Sequence, residues 1–351
     1  MRRFNRIEFA VFFAIACIAL VKPLHAAPQT GKPLEIYFVD VEGGQATLFV
    51  TPDRQSLLID TGWPDFDGRD ADRIVAAAKK AGLSKIDFVL ITHYHADHVG
   101  GVPQLAAKIP IGAFIDHGPN REPDDKNTED GWRAYQKLLA DKQIKRIIAK
   151  AGDVLPIPGI HAEIVSADGA LIAKPLSGAG AQNPICSTAE KKPADETENA
   201  RSLGTVISFG KTRILDLGDL TWDKEMDLVC PVNKLGHMDI FIVSHHGLFQ
   251  SNSPALIAAI SPQIAIMDNG AAKGGSTATL DIIKNSPNLQ DLWQLHFSNE
   301  GGAAHNTAET LIANVDGPDA GNYLKLTISV DGNFEMFNSR TQTAKHYAAM
   351  H

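Results

Sequence analysis

The sequence predicts an α/β fold in which two β-rich halves pack their sheets together and carry helices on the outside. Three observations support this prediction. Each half begins with short apolar strands separated by turns, each half ends in alternating helices and strands, and no linker divides the halves. The chain has 351 residues, of which 44% are hydrophobic, so it can bury a large core. We therefore expect a single domain over residues 27–351.

The first half opens on apolar strands at 34–41, 46–50 and 56–60, each bounded by turn residues. Helical spacing over 70–81 ends at Gly82, which is a natural C-cap. The remaining predicted elements are, in order, a buried strand at 86–92, a helix near 102–108, a strand at 111–116, a polar loop at 118–131, a helix at 132–142, and strands at 146–150 and 161–167.

The second half begins with a predicted hairpin over 202–219 that turns at Gly210 and Lys211. Helices and strands then alternate up to a final hairpin that turns at Asp331 and Gly332. Between the halves, the segment 174–200 is rich in Pro, Gly, Ser and charged residues and has no periodicity. A connection of that length inside one domain is usually a functional lid or a disordered insertion.

Residues 1–26 have the composition of a secretory signal peptide. Arg2, Arg3 and Arg6 precede an apolar run at 7–21, and the small residues Ala26 and Ala27 follow. The apolar run after Glu8 contains about 13 residues, too few to span a bilayer of ~30 Å. We therefore expect a cleaved signal peptide, a periplasmic or secreted protein, and no stable membrane span.

Charge and cysteine content limit the partners and the compartment of the mature chain. Removing residues 1–26 takes away four basic residues and one acid, so the net charge changes from −8 to about −11. An acidic surface does not attract nucleic acid, which makes nucleic acid a possible but not a favoured partner. Two cysteines remain, Cys186 and Cys230. In an oxidising compartment they either form a disulfide or stay as two separate thiols.

The strongest chemical signal is the stretch "HYHADH", which follows an apolar strand and contains His93, His95, Asp97 and His98. Residues i and i+2 of an extended segment point to the same side, so His93 and His95 can present both rings to one ion. Asp97 and His98, at the start of a helix, would face the same cavity from another direction. These ligands suit two adjacent divalent ions, Zn²⁺ first and Mn or Fe as alternatives.

This His-x-His-x-Asp-His pattern resembles the signature of the metallo-β-lactamase superfamily. The closest likeness is to the branch with the nuclease-like domains of competence DNA-uptake channels and with phosphorylcholine esterases. The resemblance implies a metal-dependent hydrolase with an αββα sandwich and its metals at one edge between the sheets. Besides the motif, the blocks that carry the resemblance are 39–46, 57–62, 100–101, 199–202, 217–219 and 244–247.

The resemblance also implies roles for residues beyond the motif. Asp219 would bridge the two ions, since a shared anion offsets their repulsion. Of the adjacent pair His245 and His246, we expect His246 to bind metal and His245 to be a catalytic neighbour, although the resemblance leaves the assignment open. The first ion normally has a third histidine, and Asn199 stands at that place. His117 is the other candidate for a third ligand or a substrate contact.

Three further histidines are expected to lie outside the site. His161 falls in a predicted strand and is expected to be exposed. His296 and His305 fall in a late segment that we interpret as a loop, so they are expected to be solvated.

The expected reaction is hydrolysis. Two divalent ions lower the pKa of a shared water to near 7 in favourable cases, which yields a metal-bound hydroxide without a strong protein base. Asp97 would orient that nucleophile and take up its proton. The first choice of substrate is a phosphodiester or another small ester, as a small molecule or in the cell envelope. A lactone or β-lactam hydrolase is the first alternative, and a non-catalytic metal-binding or sensory protein, which Asn199 would favour, is the second.

Overall fold

The computed structural model describes residues 31–315 and 319–350, whose strands form two mixed β-sheets. The predicted signal peptide at 1–26 lies outside the described residues. The larger sheet runs from β17 to β6 in the order Thr343–Tyr347 (β17), Phe334–Asn338 (β16), Leu324–Ile328 (β15), Leu34–Phe38 (β1), Thr47–Val50 (β2), Ser56–Ile59 (β3), Ile86–Leu90 (β4), Ile111–Asp116 (β5) and Lys145–Ile148 (β6). Strands β3 to β6 are parallel, and the other neighbours are antiparallel.

The smaller sheet has its own parallel block, formed by the strands that come late in the chain. Its order is Ile312–Asn314 (β14), Asp291–His296 (β13), Ile264–Met267 (β12), Ile240–Ile242 (β11), Thr212–Asp216 (β10), Gly204–Phe209 (β9), His161–Ala167 (β7) and Ala170–Leu171 (β8). Strands β10 to β14 are parallel, and β7 to β10 pair antiparallel. Each sheet therefore presents one block of parallel strands, whose carboxyl ends carry the loops discussed below.

The inner faces of the two sheets share one apolar core. Phe38 and Phe49 from the larger sheet belong to the same buried cluster as Ile164, Ile214 and Trp293 from the smaller sheet. Burial of such side chains is the main favourable contribution to folding. The core thus holds the two sheets against each other.

Helices cover the outer face of each sheet. Ile74, Leu105 and Tyr135 pack with Val89 and Phe114 on the outside of the larger sheet, and a third apolar cluster lies outside the smaller sheet. This arrangement confirms the predicted αββα sandwich. No helix in the described part of the chain is long and apolar enough to cross a membrane. The helices are Arg69–Lys80 (α1), Ala96–Val99 (α2), Val102–Lys108 (α3), Lys126–Lys142 (α4), Trp222–Val229 (α5), Pro254–Ile260 (α6), Thr277–Lys284 (α7) and Gly302–His305 (α8).

The structure corrects the predicted bounds in three places. Helix α4 begins at Lys126, inside the predicted polar loop at 118–131, because the Asp125 side chain accepts a hydrogen bond from the Thr128 N–H at 2.8 Å and caps the helix. Strand β13 occupies part of the late segment that the sequence predicts as a loop. Strand β17 extends the final hairpin by a third strand.

The segment 174–200 is an ordered connection and not a disordered insertion. Backbone N–H groups of Leu176 and Gly180 donate to the carbonyls of Lys234 and Asn233 at 2.8 and 2.9 Å. Cys186 and Cys230 form a disulfide with a Cα–Cα distance of 5.7 Å, so the alternative of a disulfide is the one that the structure shows. The first half of the segment is therefore tied to the chain that follows α5.

Candidate metal centre

The candidate site lies where loops leave the carboxyl ends of parallel strands in both sheets. The motif follows β4, Asp219 follows β10, and the His245 and His246 pair follows β11. Crevices at the carboxyl ends of parallel strands are the usual place for ligand sites in α/β folds. The topology therefore brings segments that are far apart in sequence to one site.

Four buried side chains converge at this site, and we call them the quartet: Asp97, His98, Asp219 and His246. One ligand atom from each lies within 4.8 Å of the others. His98 Nε2 is 3.2 Å from Asp219 Oδ2, and His246 Nε2 is 3.1 Å from Asp97 Oδ2. Two imidazoles and two carboxylates at such distances suit a divalent cation such as Zn²⁺, Mn²⁺ or Fe²⁺.

The protonation of the quartet indicates that it is built around positive charge. Burial opposes the charged form of His98, but Asp219, Asp97 and Asp60 raise the pKa of its imidazole well above the usual value. Burial also opposes charge on His246, and Asp219 is the main group that raises its pKa to about 10. Burial alone would raise the pKa of Asp97 and Asp219, yet His98 holds both well below their usual range. Without a metal ion, protons on the histidines balance the two carboxylates.

A carboxylate lies behind each histidine of the quartet. His98 Nδ1 lies 2.7 Å from Asp60 Oδ2, and Thr92 holds the same carboxylate through its backbone N–H and its hydroxyl group. Behind His246, Nδ1 lies 3.6 Å from Asp268 Oδ1. A carboxylate behind a ligating imidazole fixes the ring orientation and raises its basicity. The hydrogen bond to Asp60 thereby turns His98 Nε2 toward the quartet, whereas the distance between His246 and Asp268 is longer than a hydrogen bond.

The turn at Ser244–Gly247 explains how two adjacent histidines reach the same place. Strand β11 ends at Ile242, and His245 and His246 adopt positive φ angles of 54° and 52°. Such angles are uncommon for residues other than glycine and often occur at functional sites. As a result His245 Nε2 lies 3.4 Å from Asp219 Oδ2, and His246 Nε2 lies 3.5 Å from Asp219 Oδ1. Both rings therefore face Asp219, and His245 does not point away as strand alternation would require.

The other two histidines of the motif lie on what we call the open side, which consists of His93, His95, Asn199 and His245. His93 Nε2 is buried, lacks a hydrogen-bond partner among the described residues, and lies 3.8 Å from Asp219 Oδ2. Burial holds the pKa of His93 well below its usual value, so its ring is neutral and offers a lone pair. His95 is about a quarter exposed, and its Nε2 lies 3.1 Å from Glu122 Oε2. An unpaired, neutral, buried imidazole nitrogen is the observation that fits a second metal position.

The two candidates for the missing third histidine have different positions. Asn199 Nδ2 lies 3.4 Å from His245 Nε2, and Asn199 Oδ1 is buried without a hydrogen-bond partner among the described residues. His117 Nε2 instead lies 3.1 Å from Glu198 Oε2, and its ring packs 4.6 Å from the ring of Tyr94. Asn199 therefore belongs to the open side, whereas His117 is engaged in a buried pair with Glu198.

Glu122, Glu198 and Lys273 border the site, although no pattern in the sequence marks them. Glu198 is buried, and its backbone N–H donates to Glu122 Oε2 at 3.1 Å, which in turn contacts His95. Lys273 follows β12, and its Nζ donates to Asp97 Oδ2. Acidic residues and lysines in polar loops are too common for spacing alone to mark these three. The end of the 174–200 segment and the 268–276 loop thus both border the site.

The histidines outside the motif follow the predictions in part. His161 has a side chain that is 56% exposed, as expected. The prediction for His296 is wrong, because this residue ends β13, is buried, and places Nε2 2.6 Å from Asp40 Oδ1. A buried imidazole usually takes a charged or polar partner, which here lies in the loop after β1. His305 is partly exposed and contacts Asp281 at 2.8 Å.

The fold and the site define a class, the metal-binding αββα sandwich, and comparison with known proteins gives the family. Residues 39–181 match the model of the metallo-beta-lactamase superfamily. This match confirms the resemblance that the motifs of the chain carry.

Relatives of this chain agree with the predicted branch. It is 23% identical to Recombination protein 2 of Haemophilus influenzae over 76% of this chain and 27% of that protein. It is 24% identical to Competence protein ComA of Neisseria gonorrhoeae over 70% of this chain and 28% of that protein. A shorter match, at 28% identity, covers 29% of this chain and 32% of a hydroxyacylglutathione hydrolase of Rhodopseudomonas palustris. The chain thus spans about a quarter to a third of the length of these relatives.

Proposed function

We propose that this protein is a metal-dependent hydrolase that acts on a phosphodiester or another small ester-type substrate. The observation that carries the proposal is the quartet, in which four buried ligand atoms lie within 4.8 Å of one another. The match of residues 39–181 to a superfamily of metal-dependent hydrolases supports the same conclusion. Catalysis by a pair of divalent ions is the chemistry that such a ligand set serves.

The proposed ligands fall into two groups that share Asp219. The quartet would hold one divalent ion, with Zn²⁺ the first choice and Mn²⁺ or Fe the alternatives. His93 and His95 would hold a second ion, with His245 or Asn199 completing its shell. The buried and unpaired Nε2 of His93 supports this second position. Bound ions of this kind activate a water molecule and stabilise negative charge on the scissile group.

The chain's own residues would orient the reactants. Asp97, whose carboxylate lies between His246 and Lys273, would position the attacking water and accept its proton. His245 lies at the edge of the site, 3.4 Å from the shared Asp219, and would contact the substrate or the leaving group. Exclusion of bulk water by the buried walls of the quartet would strengthen each of these interactions.

We propose a substrate that is a small molecule or part of the cell envelope. The predicted acidity of the mature chain, about −11, disfavours binding to nucleic acid. A second candidate is nucleic acid hydrolysis, which the similarity to Recombination protein 2 and to Competence protein ComA favours. We also propose that the protein is exported, because the composition of residues 1–26 and the Cys186–Cys230 disulfide both suit an oxidising compartment.

The experiment combines metal analysis with a substrate screen. Purified protein loaded with Zn²⁺, Mn²⁺ or Fe²⁺ is tested on bis(p-nitrophenyl) phosphate, a lactone, a chromogenic cephalosporin and linear DNA. We expect turnover of the phosphodiester and loss of activity in Asp97→Ala with its fold retained by circular dichroism. Bound metal without turnover of any substrate would support a sensory protein instead. A fully active Asp97→Ala variant would contradict the role assigned to this residue.

A further inference from the structure

Lys273 brings a positive charge to the mouth of the quartet. Its Nζ donates to Asp97 Oδ2 and lies 4.8 Å from the centre of the Trp63 ring. The lysine side chain is 31% exposed, whereas that of Asp97 is 9% exposed. The ammonium group therefore sits between the buried ligands and the solvent, where a substrate would enter.

The loop around Lys273 is held from three directions. The Lys273 carbonyl accepts a hydrogen bond from the Gly270 N–H at 2.8 Å, and the Gly275 N–H donates to the His246 carbonyl at 2.9 Å. The side chain of Asn269 donates to the His296 carbonyl at 2.8 Å. A Cβ atom added to Gly43 would lie 3.0 Å from Lys273 Cβ, so the 42–44 loop packs closely against it. Lys273 is thus a positioned cation and not a freely moving surface lysine.

The charge balance of the proposed metal centre leaves room for an anion. Asp97 and Asp219 are the two carboxylates of the quartet, and they would offset only part of the charge of two divalent ions. Lys273 adds a further positive charge, and it shares Asp97 with the quartet. Like charges so close together repel strongly in a partly buried site. Electrostatics therefore favours a negatively charged group that joins the site beside Lys273.

We propose that Lys273 binds an anionic oxygen of the substrate, so that the site selects substrates with a negative charge beside the scissile bond. This inference rests on the proposed hydrolase function, which it deepens by naming the substrate class. The anionic oxygen belongs either to the scissile phosphodiester or to a carboxylate near a scissile carbonyl. Trp63 supports the lysine stem through the contact of its ring with the ammonium group.

The test compares Lys273→Met and Lys273→Arg with the matched control Lys211→Met, which changes an exposed lysine at the β9–β10 turn. The substrates are bis(p-nitrophenyl) phosphate, which is anionic at the reacting phosphorus, and p-nitrophenyl acetate, which is neutral. We expect Lys273→Met to lower the ratio of kcat/KM for the phosphodiester to that for the neutral ester by about 10- to 100-fold. Lys273→Arg should retain most of the ratio, and Lys211→Met all of it.

Binding and metal content separate this inference from the proposed function. Calorimetry of the Zn²⁺-loaded proteins with inorganic phosphate and with acetate reports the anion directly. Weaker phosphate binding in Lys273→Met, at unchanged metal content, supports the inference. This holds even if the wild type hydrolyses neither ester, because the absence of turnover would refute only the hydrolase proposal. A selective loss of acetate binding would assign the oxygen to a carboxylate. Equal losses for both esters, unchanged anion binding, or loss of metal would overturn the inference.

Discussion

The quartet and the open side each take two residues from the same six-residue motif but differ in how completely they are assembled. In the quartet, four ligand atoms lie within 4.8 Å of one another, and Asp60 stands 2.7 Å behind His98. On the open side, His93 Nε2 is 3.8 Å from Asp219 and His95 is drawn toward Glu122. Asp219 and His246 reach the quartet from the ends of β10 and β11. Asn199 and Glu198, whose backbone N–H donates to Glu122, come from the end of the 174–200 segment. A motif therefore supplies ligands, and the supporting loops decide how well they converge.

This difference predicts unequal affinities for two ions. The quartet offers two carboxylates and two oriented imidazoles, while the open side offers mainly neutral ligands and shares Asp219. We expect one ion to bind tightly in the quartet and another to bind more weakly on the open side.

Replacing one histidine on each side tests this comparison with the largest effect. His246→Ala should remove the tightly bound ion and lower kcat/KM by about 1,000-fold or more. His93→Ala should weaken the second ion by about 10- to 100-fold and leave the first in place. Metal titration followed by mass spectrometry counts the ions on each variant. Loss of the tight ion from His93→Ala would reverse the assignment.

Glu225 supports the turn that supplies one histidine to each side. Its carboxylate accepts the backbone N–H groups of Asn252 and Ser253 at 2.7 Å, and the Asn252 side chain donates to the Ser244 carbonyl. Burial raises the pKa of Glu225 from 4.5 to about 7, although these hydrogen bonds lower it. Because the pKa is higher in the folded state, the protonated carboxyl stabilises the fold at pH values below the unfolded pKa. This stabilisation is lost as the pH rises through the folded pKa.

The stabilisation by protonated Glu225 is therefore lost between pH 4.5 and about 7. Over this range the free energy of unfolding of the wild type should fall by up to about 3 kcal/mol relative to Glu225→Gln. Urea unfolding of the metal-free proteins at pH 5 and pH 8 measures the difference. Identical pH slopes for the two proteins would show that Glu225 titrates normally.

Asn199→His should reduce the difference between the two sides. A histidine at this place can offer the imidazole that the open side lacks, since Asn199 already lies 3.4 Å from His245 Nε2. We expect affinity for the second ion to rise by about 10- to 100-fold, with the first ion unaffected. Competition with a chelator measures both affinities, and Asn199→Ala is the control. Unchanged affinity would indicate that His245 already completes the shell.

Glu122→Gln should increase the difference by a smaller amount. The variant keeps a hydrogen-bond acceptor for His95 Nε2 but removes its negative charge, so affinity on the open side should fall by about 10-fold. The matched control is Glu335→Gln on β16, which changes the partner of the exposed His346. If Glu122→Gln lowers affinity in the quartet instead, Glu122 does not act through His95.

Much of the fold was predictable because strands and helices carry local periodicity. The central strands, most helices and the two-sheet arrangement follow from apolar spacing and turn residues. The errors have both local and tertiary causes. Helix α4 starts early because Asp125 caps it through Thr128, three residues along the chain, whereas His296 is buried because its partner is Asp40, in the loop after β1.

By itself, the sequence determined the resemblance to a family, the six-residue motif and the position of Asp219 in the chain, since each is written in contiguous residues. Only the tertiary structure decided that both His245 and His246 face Asp219, that His117 pairs with Glu198, and that the cysteines form a disulfide. It also brought Lys273 to Asp97 across 176 positions of the chain. These outcomes depend on distances between segments that no local pattern encodes, because they are set when the two sheets pack and their loops meet at one edge.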